Sequence, residues 1–242
     1  MTCPSEARWL QLSSRIGTWM QRPIPHKIRS IRSKLSSVID MFDDALFAKR
    51  YGLNCGGFIE KKNLKTAHIT ALSHSRAYQA VTCNAIRELL TEALKTGVEF
   101  DNFIDLGSGK GKACFYAATR KMFKILIGVE FSAQLVEISN QNADRFGKDN
   151  IVFINDDAAQ YKLPTGTSLI FLFNPFGDEI LNKFLQNNIE HIRKSRSMIA
   201  YSNDQHRLRL MQAGFATIFR NQETQGSLYQ HLDHSVSNTI LP

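Results

Sequence analysis

The sequence predicts a three-layer α/β sandwich: a seven-stranded, mostly parallel sheet between helices, with a C-terminal antiparallel hairpin and a helical N-terminal extension. Three observations predict it. Short apolar runs such as Ile125-Leu126-Ile127-Gly128-Val129 and Ser168-Leu169-Ile170-Phe171-Leu172-Phe173 recur along the chain, as strands buried on both faces require. Segments of helical period separate them, which is the alternation of a parallel sheet covered on both sides. One apolar run also passes straight into alternating glycines and then a helix, a turn typical of doubly wound sheets. At 242 residues there is room for one such domain and an appendage. The 43% hydrophobic share suffices for its core.

Residues 1–60 read as a helical accessory segment and residues 61–242 as the core. Trp9, Leu12, Ile16 and Trp19/Met20 recur at helical spacing. Arg22-Pro23-Ile24-Pro25 breaks that helix, because each proline disfavours helix at the residue before it. Ile28, Ile31, Leu35, Val38/Ile39 and Phe42 form a second stripe, and Asn54-Cys55-Gly56-Gly57 is a turn. Ser75 is placed to cap a long helix whose apolar face is Tyr78, Val81, Ala85, Leu89 and Leu90, ended by Gly97.

The core alternation follows. Strands are expected at Phe103–Leu106, Ile125–Val129, Ile151–Ile154, Ser168–Phe173 and Met198–Tyr201. Between them come helices from Gly111 to Arg120, from a Ser132 cap to Gly147, and over Ile180, Leu181, Phe184, Leu185 and Ile189. A short helix from Asp204 to Ala213 precedes strands at Phe215–Arg220 and Ser227–Gln230, joined by a turn at 221–226.

Composition excludes several classes. No run approaches the ~18 apolar residues of a spanning helix, and the start has no apolar h-region of a secretory signal; a cytoplasmic protein is expected. Cys3, Cys55, Cys83 and Cys114 are far apart, without a C-x-x-C pair, so they read as reduced thiols, with Cys114 a packing residue. No metal site is expected: His231 and His234 stand near the terminus. The net charge of +8 favours an anionic partner. Arg15, Arg22, Lys27, Arg29, Arg32 and Lys34 form a basic stretch that reads first as a solvated helix face and second as a phosphate or lipid contact.

The chemistry should sit in Phe103-Ile104-Asp105-Leu106-Gly107-Ser108-Gly109-Lys110-Gly111-Lys112. Its spacing is G-x-G-x-G, with Lys112 where a dinucleotide loop has its third glycine. A Walker phosphate loop is absent too. Asp105 would repel a pyrophosphate and suits a ligand with an ammonium group. Lys110 and Lys112 read first as solvated at the loop and second as guides for an anionic acceptor. Nineteen residues past Gly111, Glu130 ends the second core strand, where a carboxylate can accept both ribose hydroxyls of an adenosine. After the third, Asp156-Asp157 supplies an acid for an adenine amino group; Asp157 is favoured, though a one-residue slip would exchange the two. The fourth ends in Phe173-Asn174-Pro175-Phe176. All four features fall on one edge of one sheet.

With these motifs the chain resembles the class I S-adenosylmethionine-dependent methyltransferases. It resembles most a bacterial group with F-[IV]-D-L-G-S-G-K-G, [IV]-G-V-E-F-S and F-L-F-N-P-F-G motifs. These stand here at Phe103–Gly111, Ile127–Ser132 and Phe171–Gly177, within a resemblance over about residues 50–232. It implies a Rossmann-like fold and S-adenosylmethionine as cofactor, contacted by Asp105, Gly107, Ser108, Gly109 and Gly111. It further implies Glu130 on the ribose, Asp157 on the adenine edge, Phe131 on the adenine face, and Asn174 facing the reacting methyl group as the catalytic candidate. The glycine loop is also similar to that of non-SET histone lysine methyltransferases, which brings in a protein amine as acceptor. Two departures stand out. The N-P-P-[YF] motif of base-amine methyltransferases is here Asn174-Pro175-Phe176, so nucleobase chemistry is not inferred. The group's tyrosine- and proline-rich segment is replaced by Leu72-Ser73-His74-Ser75-Arg76, so no cofactor-covering role is read there.

Some readings stay open. Asn174 has an alternative as cap of the following helix. His68 and His74 read as exposed loop histidines before the pocket mouth. Methyl transfer to nitrogen or oxygen is the leading function, with a protein amine ahead of a small metabolite and nucleic acid third. A non-catalytic cofactor-binding module and an NAD-dependent oxidoreductase are the rivals.

Overall fold

The computed structural model describes residues 26–64, 66 and 77–232, with side chains from residue 36 onward. The chain divides into two compact units, Met1–Met41 and Phe42–Pro242. The described part of the first is helical from His26. The helix near Trp9, its break at Arg22–Pro25, Cys3, His68, His74, Ser75 and His234 lie outside the described residues. Residues 42–60 belong to the second unit, with Leu53 and Cys55 buried in its core.

The elements are α1 (His26–Tyr51), β1 (Phe58–Ile59), β2 (Tyr78–Gln79), α2 (Cys83–Lys95), β3 (Asn102–Leu106), α3 (Lys112–Ala118), β4 (Ile125–Glu130), α4 (Ala133–Phe146), β5 (Ile151–Asn155), β6 (Ser168–Phe173), α5 (Asp178–Ser195), β7 (Met198–Ser202), α6 (Arg207–Gln212), β8 (Phe215–Asn221) and β9 (Gly226–His231). The helix before the core is shorter than the periodicity predicts. It starts at Cys83 because Thr82 caps it, its hydroxyl accepting the Ala85 N–H at 3.2 Å. Tyr78, expected on the helix face, instead pairs antiparallel in the small β1–β2 ribbon. At the far end Gly97 takes φ 71° just past the Thr96 cap.

The main sheet has the order β5-β4-β3-β6-β7-β9-β8. β5, β4, β3, β6 and β7 run parallel, while β9 is antiparallel to both β7 and β8. Alternation along each strand splits the core in two. Phe103, Leu126, Leu169, Phe171 and Ala200 face α2 and α3. Ile104, Leu106, Ile127, Ile170, Leu172 and Ile199 face Ile180, Leu181, Phe184 and Leu185 of α5. Each fully buried Phe or Leu side chain contributes about 1.5–3 kcal/mol, and they come from both faces of every central strand. This is the three-layer architecture.

From β3 the chain winds outward through β4 to β5, then returns to place β6 on the other side of β3. The crevice at the carboxyl ends of β3 and β6 is therefore a topological switch point, where ligands bind in open α/β sheets. Among the described residues no helix is long and apolar enough to cross a membrane.

Candidate functional site

A cavity of about 360 Å³ opens at this switch point. Gly107 after β3, Glu130 at the end of β4, Phe131, Asp156 and Asp157 after β5, and Asn174 after β6 all line it. Five of the expected site residues, Gly107, Glu130, Phe131, Asp157 and Asn174, thus meet on one wall. Asp105, Ser108, Gly109 and Gly111 lie outside the lining.

The loop explains this split. Gly107, Gly109 and Gly111 have φ of 80°, 54° and 85°, a region costly for residues with a Cβ. A Cβ would also meet Pro175 at 2.3 Å on Gly107 and Phe153 at 2.4 Å on Gly111. Gly111 thus serves the strand–helix packing that the third glycine of a dinucleotide loop serves, one residue earlier. Gly109 lies beneath the Tyr78 ring, which a Cβ would meet at 2.3 Å. The Ser108 hydroxyl is buried against Gly128 with no hydrogen-bond partner, and Ser108 does not line the cavity.

The loop's N–H groups are turned into the protein. Those of Gly107 and Ser108 donate to the Val129 carbonyl at 2.8 and 3.1 Å, and that of Gly111 to the Ser108 carbonyl at 2.8 Å. The Gly109 N–H donates to Glu130 Oε2 at 2.9 Å. A pyrophosphate cradle needs such donors aimed at the ligand. The nicotinamide reading finds none at these four positions.

Glu130 Oε1 accepts the Ser132 N–H at 2.9 Å. Burial pushes its carboxyl up to about 7, against the opposing pull of backbone N–H groups from Ser132, Gly109 and Phe131. An ionised carboxylate has about four acceptor positions, so the two bonds at 2.9 Å leave capacity on a group that lines the cavity. Asp105 is buried behind the loop; burial, and then the charge of Glu130, push it up to about 8. Asp156 Oδ1 accepts the Asp157 N–H at 2.8 Å and Asp157 Oδ1 the Ala159 N–H at 2.9 Å. Each acid braces the turn through one oxygen, and both reach the wall.

Asn174 has φ 42°, is 5% exposed and lies 3.5 Å from the Tyr201 hydroxyl through Oδ1. Helix α5 is capped by Gly177, so the capping alternative for Asn174 fails. A left-handed non-glycine residue is a local strain that packing must maintain, and here it turns a buried amide to the cavity.

The loop lysines are not solvated, contrary to the sequence reading. Lys112 is 4% exposed and pairs with Asp44 Oδ2 at 3.0 Å. Lys110 donates to the Gly56 carbonyl at 2.9 Å and lies over the Tyr78 ring at 5.4 Å. The segment 44–57 supplies these partners, which no local pattern in the loop announces. His231 lies in β9, edge-on to Phe215.

Sequence reasoning missed the rest of the wall: Phe58, Leu64 and Tyr78 before α2, and Asn203 and Gln205 after β7. The signals were faint. Thr82 is a capping residue closer to the helix than Ser75 is, which would have freed Tyr78. Asn203 to Gln205 follow a strand end, as the identified residues do. Among the described residues no Lys, Arg or His lines this cavity; its ionisable groups are Glu130, Asp156, Asp157 and the Tyr78 phenol.

Comparison with known proteins accords with this site. A family model described as a methyltransferase domain matches residues 99–233, more than half of the 242-residue chain. No curated protein matches it. Similar solved structures include the ribosomal protein L11 methylase from Lactobacillus delbrueckii subsp. bulgaricus, at 14% identity over 61% of this chain and 77% of that one (TM-score 0.47). Another is the N-methyltransferase NodS from Bradyrhizobium japonicum WM9, at 10% identity over 62% of this chain and 96% of that one (TM-score 0.46). The family match, over the span that builds the sheet and its ligand edge, decides the assignment: the chain belongs to the methyltransferase domain family, as an S-adenosylmethionine-dependent enzyme.

Proposed function

We propose that the enzyme methylates an amine nitrogen, with a protein lysine ahead of a small amine. The observation that carries this is the charge of the cavity: carboxylates on its wall and no cationic side chain among the described residues. With Glu130 and Asp157 given to the cofactor, Asp156 remains on the wall to attract a cationic acceptor, and no described side chain there pairs with a phosphate or carboxylate. At about 360 Å³ the cavity lies near the small end of ligand pockets.

The residues present fit the cofactor. Glu130 has acceptor capacity for the ribose hydroxyls, and Asp157 presents a carboxylate to the adenine amino group with Phe131 against the ring. Gly107 on the wall suits the ammonium, with the buried carboxyl of Asp105 behind it adding negative potential, while Ser108, Gly109 and Gly111 shape the loop. S-adenosylmethionine supplies an electrophilic methyl group on a sulfonium, so the protein's task is alignment and exclusion of water. The Asn174 amide oxygen would accept an N–H of the incoming amine once its ammonium form has released a proton to solvent or to Asp156 on the wall, and Phe173 and Phe176 line the cavity beside it. Of the accessory segment proposed at 1–60, residues 42–60 pack within the core unit and brace the loop through Asp44 and Gly56. The free thiols of Cys55, Cys83 and Cys114 suit a reducing, cytoplasmic setting.

The test is transfer of labelled methyl groups to a lysine-rich peptide, beside its acetylated form and a panel of hydroxyl and carboxyl acceptors. Labelling of the free-amine peptide alone is expected, with Asn174→Ala lowering kcat by about 100-fold, within the range of a lost oriented contact. Preferential labelling of an oxygen acceptor would overturn the amine reading.

A further inference from the structure

A second concavity, of about 400 Å³, lies among α1, α2 and α3 and shares no lining residue with the first. Its floor is aromatic. Half-buried Tyr51, Phe47 and Tyr116 form a continuous row, with Phe47 centred 5.2 Å from Tyr51 and 5.4 Å from Tyr116. Its edge is cationic: Arg50, Arg87 and Arg120 are all exposed. Arg50 lies over the Tyr51 ring at 5.5 Å and Arg120 over the Tyr116 ring at 5.1 Å. Arg120 also donates to the Tyr116 hydroxyl at 2.8 Å. Asp43 is the one acid on this wall, 3.6 Å from Arg87. Three guanidinium groups thus surround a strip of rings with a surplus of two positive charges.

Neither feature alone would identify a ligand. Exposed arginines bind any polyanion, and rings under a surface helix commonly serve packing. Together they select a ligand with flat π-faces and anionic groups in the same repeat. Two of the guanidinium groups already lie next to rings, Arg120 also bonded to the Tyr116 hydroxyl, and so are partly ordered before any ligand arrives. That lowers the entropy cost of contacting a phosphate. We propose that this groove is a docking surface for single-stranded nucleic acid, with bases over the aromatic row and backbone phosphates on Arg50, Arg87 and Arg120. Base–aromatic stacking along a cationic track is the general physics of single-strand binding, and the chain's net charge of +8 supports the encounter. The contact is independent of the methyl acceptor proposed above, because it lies outside the catalytic cavity. It would hold the enzyme on a nucleic acid or nucleoprotein while that cavity works.

The experiment is fluorescence anisotropy of the full chain with a labelled oligoadenylate of about 12 nucleotides, in ribo and deoxy forms. Wild type is compared with the Arg50→Gln/Arg120→Gln double variant. Both side chains are exposed and neither lines the catalytic cavity, so S-adenosylhomocysteine binding by calorimetry is expected to stay unchanged. The double variant is expected to bind the oligonucleotide at least about tenfold more weakly. Its dependence of log affinity on log salt should shrink by about 1.4, for two lost phosphate contacts on a single strand. Polyphosphate of matched charge should compete poorly, having no bases to stack. Equal binding by the variant would overturn the proposal and place any affinity elsewhere, for example on the basic stretch at 15–34. So would absence of oligonucleotide binding, or polyphosphate competing as well as the oligonucleotide. Capture of anionic lipid vesicles through the same arginines, with no oligonucleotide bound, would assign the groove to a membrane surface instead.

Discussion

Two groups of buried carboxylates lie along the same sheet edge, and the protein treats them in opposite ways. Asp204, just past β7, is 3% exposed. It accepts from Arg220 Nε at 2.8 Å and Nη2 at 3.2 Å, and from the hydroxyls of Ser227 at 2.5 Å and Tyr229 at 3.2 Å. Burial raises its pKa, but Arg220, Ser227 and Tyr229 outweigh that and hold it below the ordinary carboxylate value. Asp105 and Glu130 are equally buried, at 4% each. No cation offsets their burial, and they are pushed up to about 8 and 7. Asp204 is a finished structural joint that ties the antiparallel hairpin to the sheet. The other two are left electrostatically incomplete, Glu130 on the cavity wall and Asp105 behind its loop, as perturbed groups at functional sites commonly are. The contrast separates architecture from function more clearly than burial does.

Breaking the finished joint should cost the most. Asp204→Ala leaves Arg220, Ser227 and Tyr229 without their shared acceptor, and a loss of about 3 kcal/mol is expected, at the low end for a broken buried pair. Denaturant unfolding measures it. A loss below about 1 kcal/mol would mean that the joint is replaceable and the contrast overstated. Glu130→Ala should spare most of the stability and act on the ligand: S-adenosylhomocysteine binding should weaken by about 1–3 kcal/mol, the cost of stranding buried polar groups. Calorimetry on both variants sharpens the comparison. If Asp204→Ala weakened the ligand as strongly as Glu130→Ala with its fold intact, the division into joint and site would be wrong.

The half of this edge built by the glycine loop and the ends of β4 and β6 was legible in the sequence because its signals are local. Phe103 to Gly111 is one unbroken stretch of strand and glycines, Glu130 closes an apolar run, and Ser168 to Phe173 is a strand from its first residue to its last. The sheet followed from the same runs. The other half depends on contacts between distant segments. Tyr78 meets Gly109 across the ribbon with Phe58–Ile59, and its spacing from Val81, Ala85 and Leu89 imitates a helix face. Lys110 and Lys112 look like surface residues until Gly56 and Asp44 are brought to them. Asn203 and Gln205 carry no motif. Their place on the wall comes from the β6–β7 pairing, and the Arg220 partner of Asp204 arrives only with the hairpin. Periodicity reports which face of an element is buried, but not which remote side chain buries it.

The pH dependence of stability tests the contrast most directly, because the two kinds of carboxylate predict slopes of opposite sign. An ordinary carboxyl group titrates near pH 4. Asp105 and Glu130 are raised, so between about pH 4 and pH 7 to 8 the folded chain holds protons that the unfolded chain has released. The stability they contribute is full below about pH 4 and is lost as pH rises through 7 and 8. Asp204 is lowered, so its contribution is present above about pH 4 and is lost only as pH falls through its folded value. Urea unfolding between about pH 5 and pH 8 should therefore show stability falling with pH, by at most about 1.4 kcal/mol per unit for each raised group. Asp105→Asn should remove one such component and flatten the slope, while Asp204→Asn should leave it standing and lower the whole curve. If the cofactor's ammonium reaches Asp105 as proposed, saturating S-adenosylhomocysteine should also flatten the wild-type slope, by favouring the ionised form of Asp105. A slope unchanged in Asp105→Asn would mean that Asp105 folds in already ionised; Glu130 alone would then mark the incomplete end of the edge.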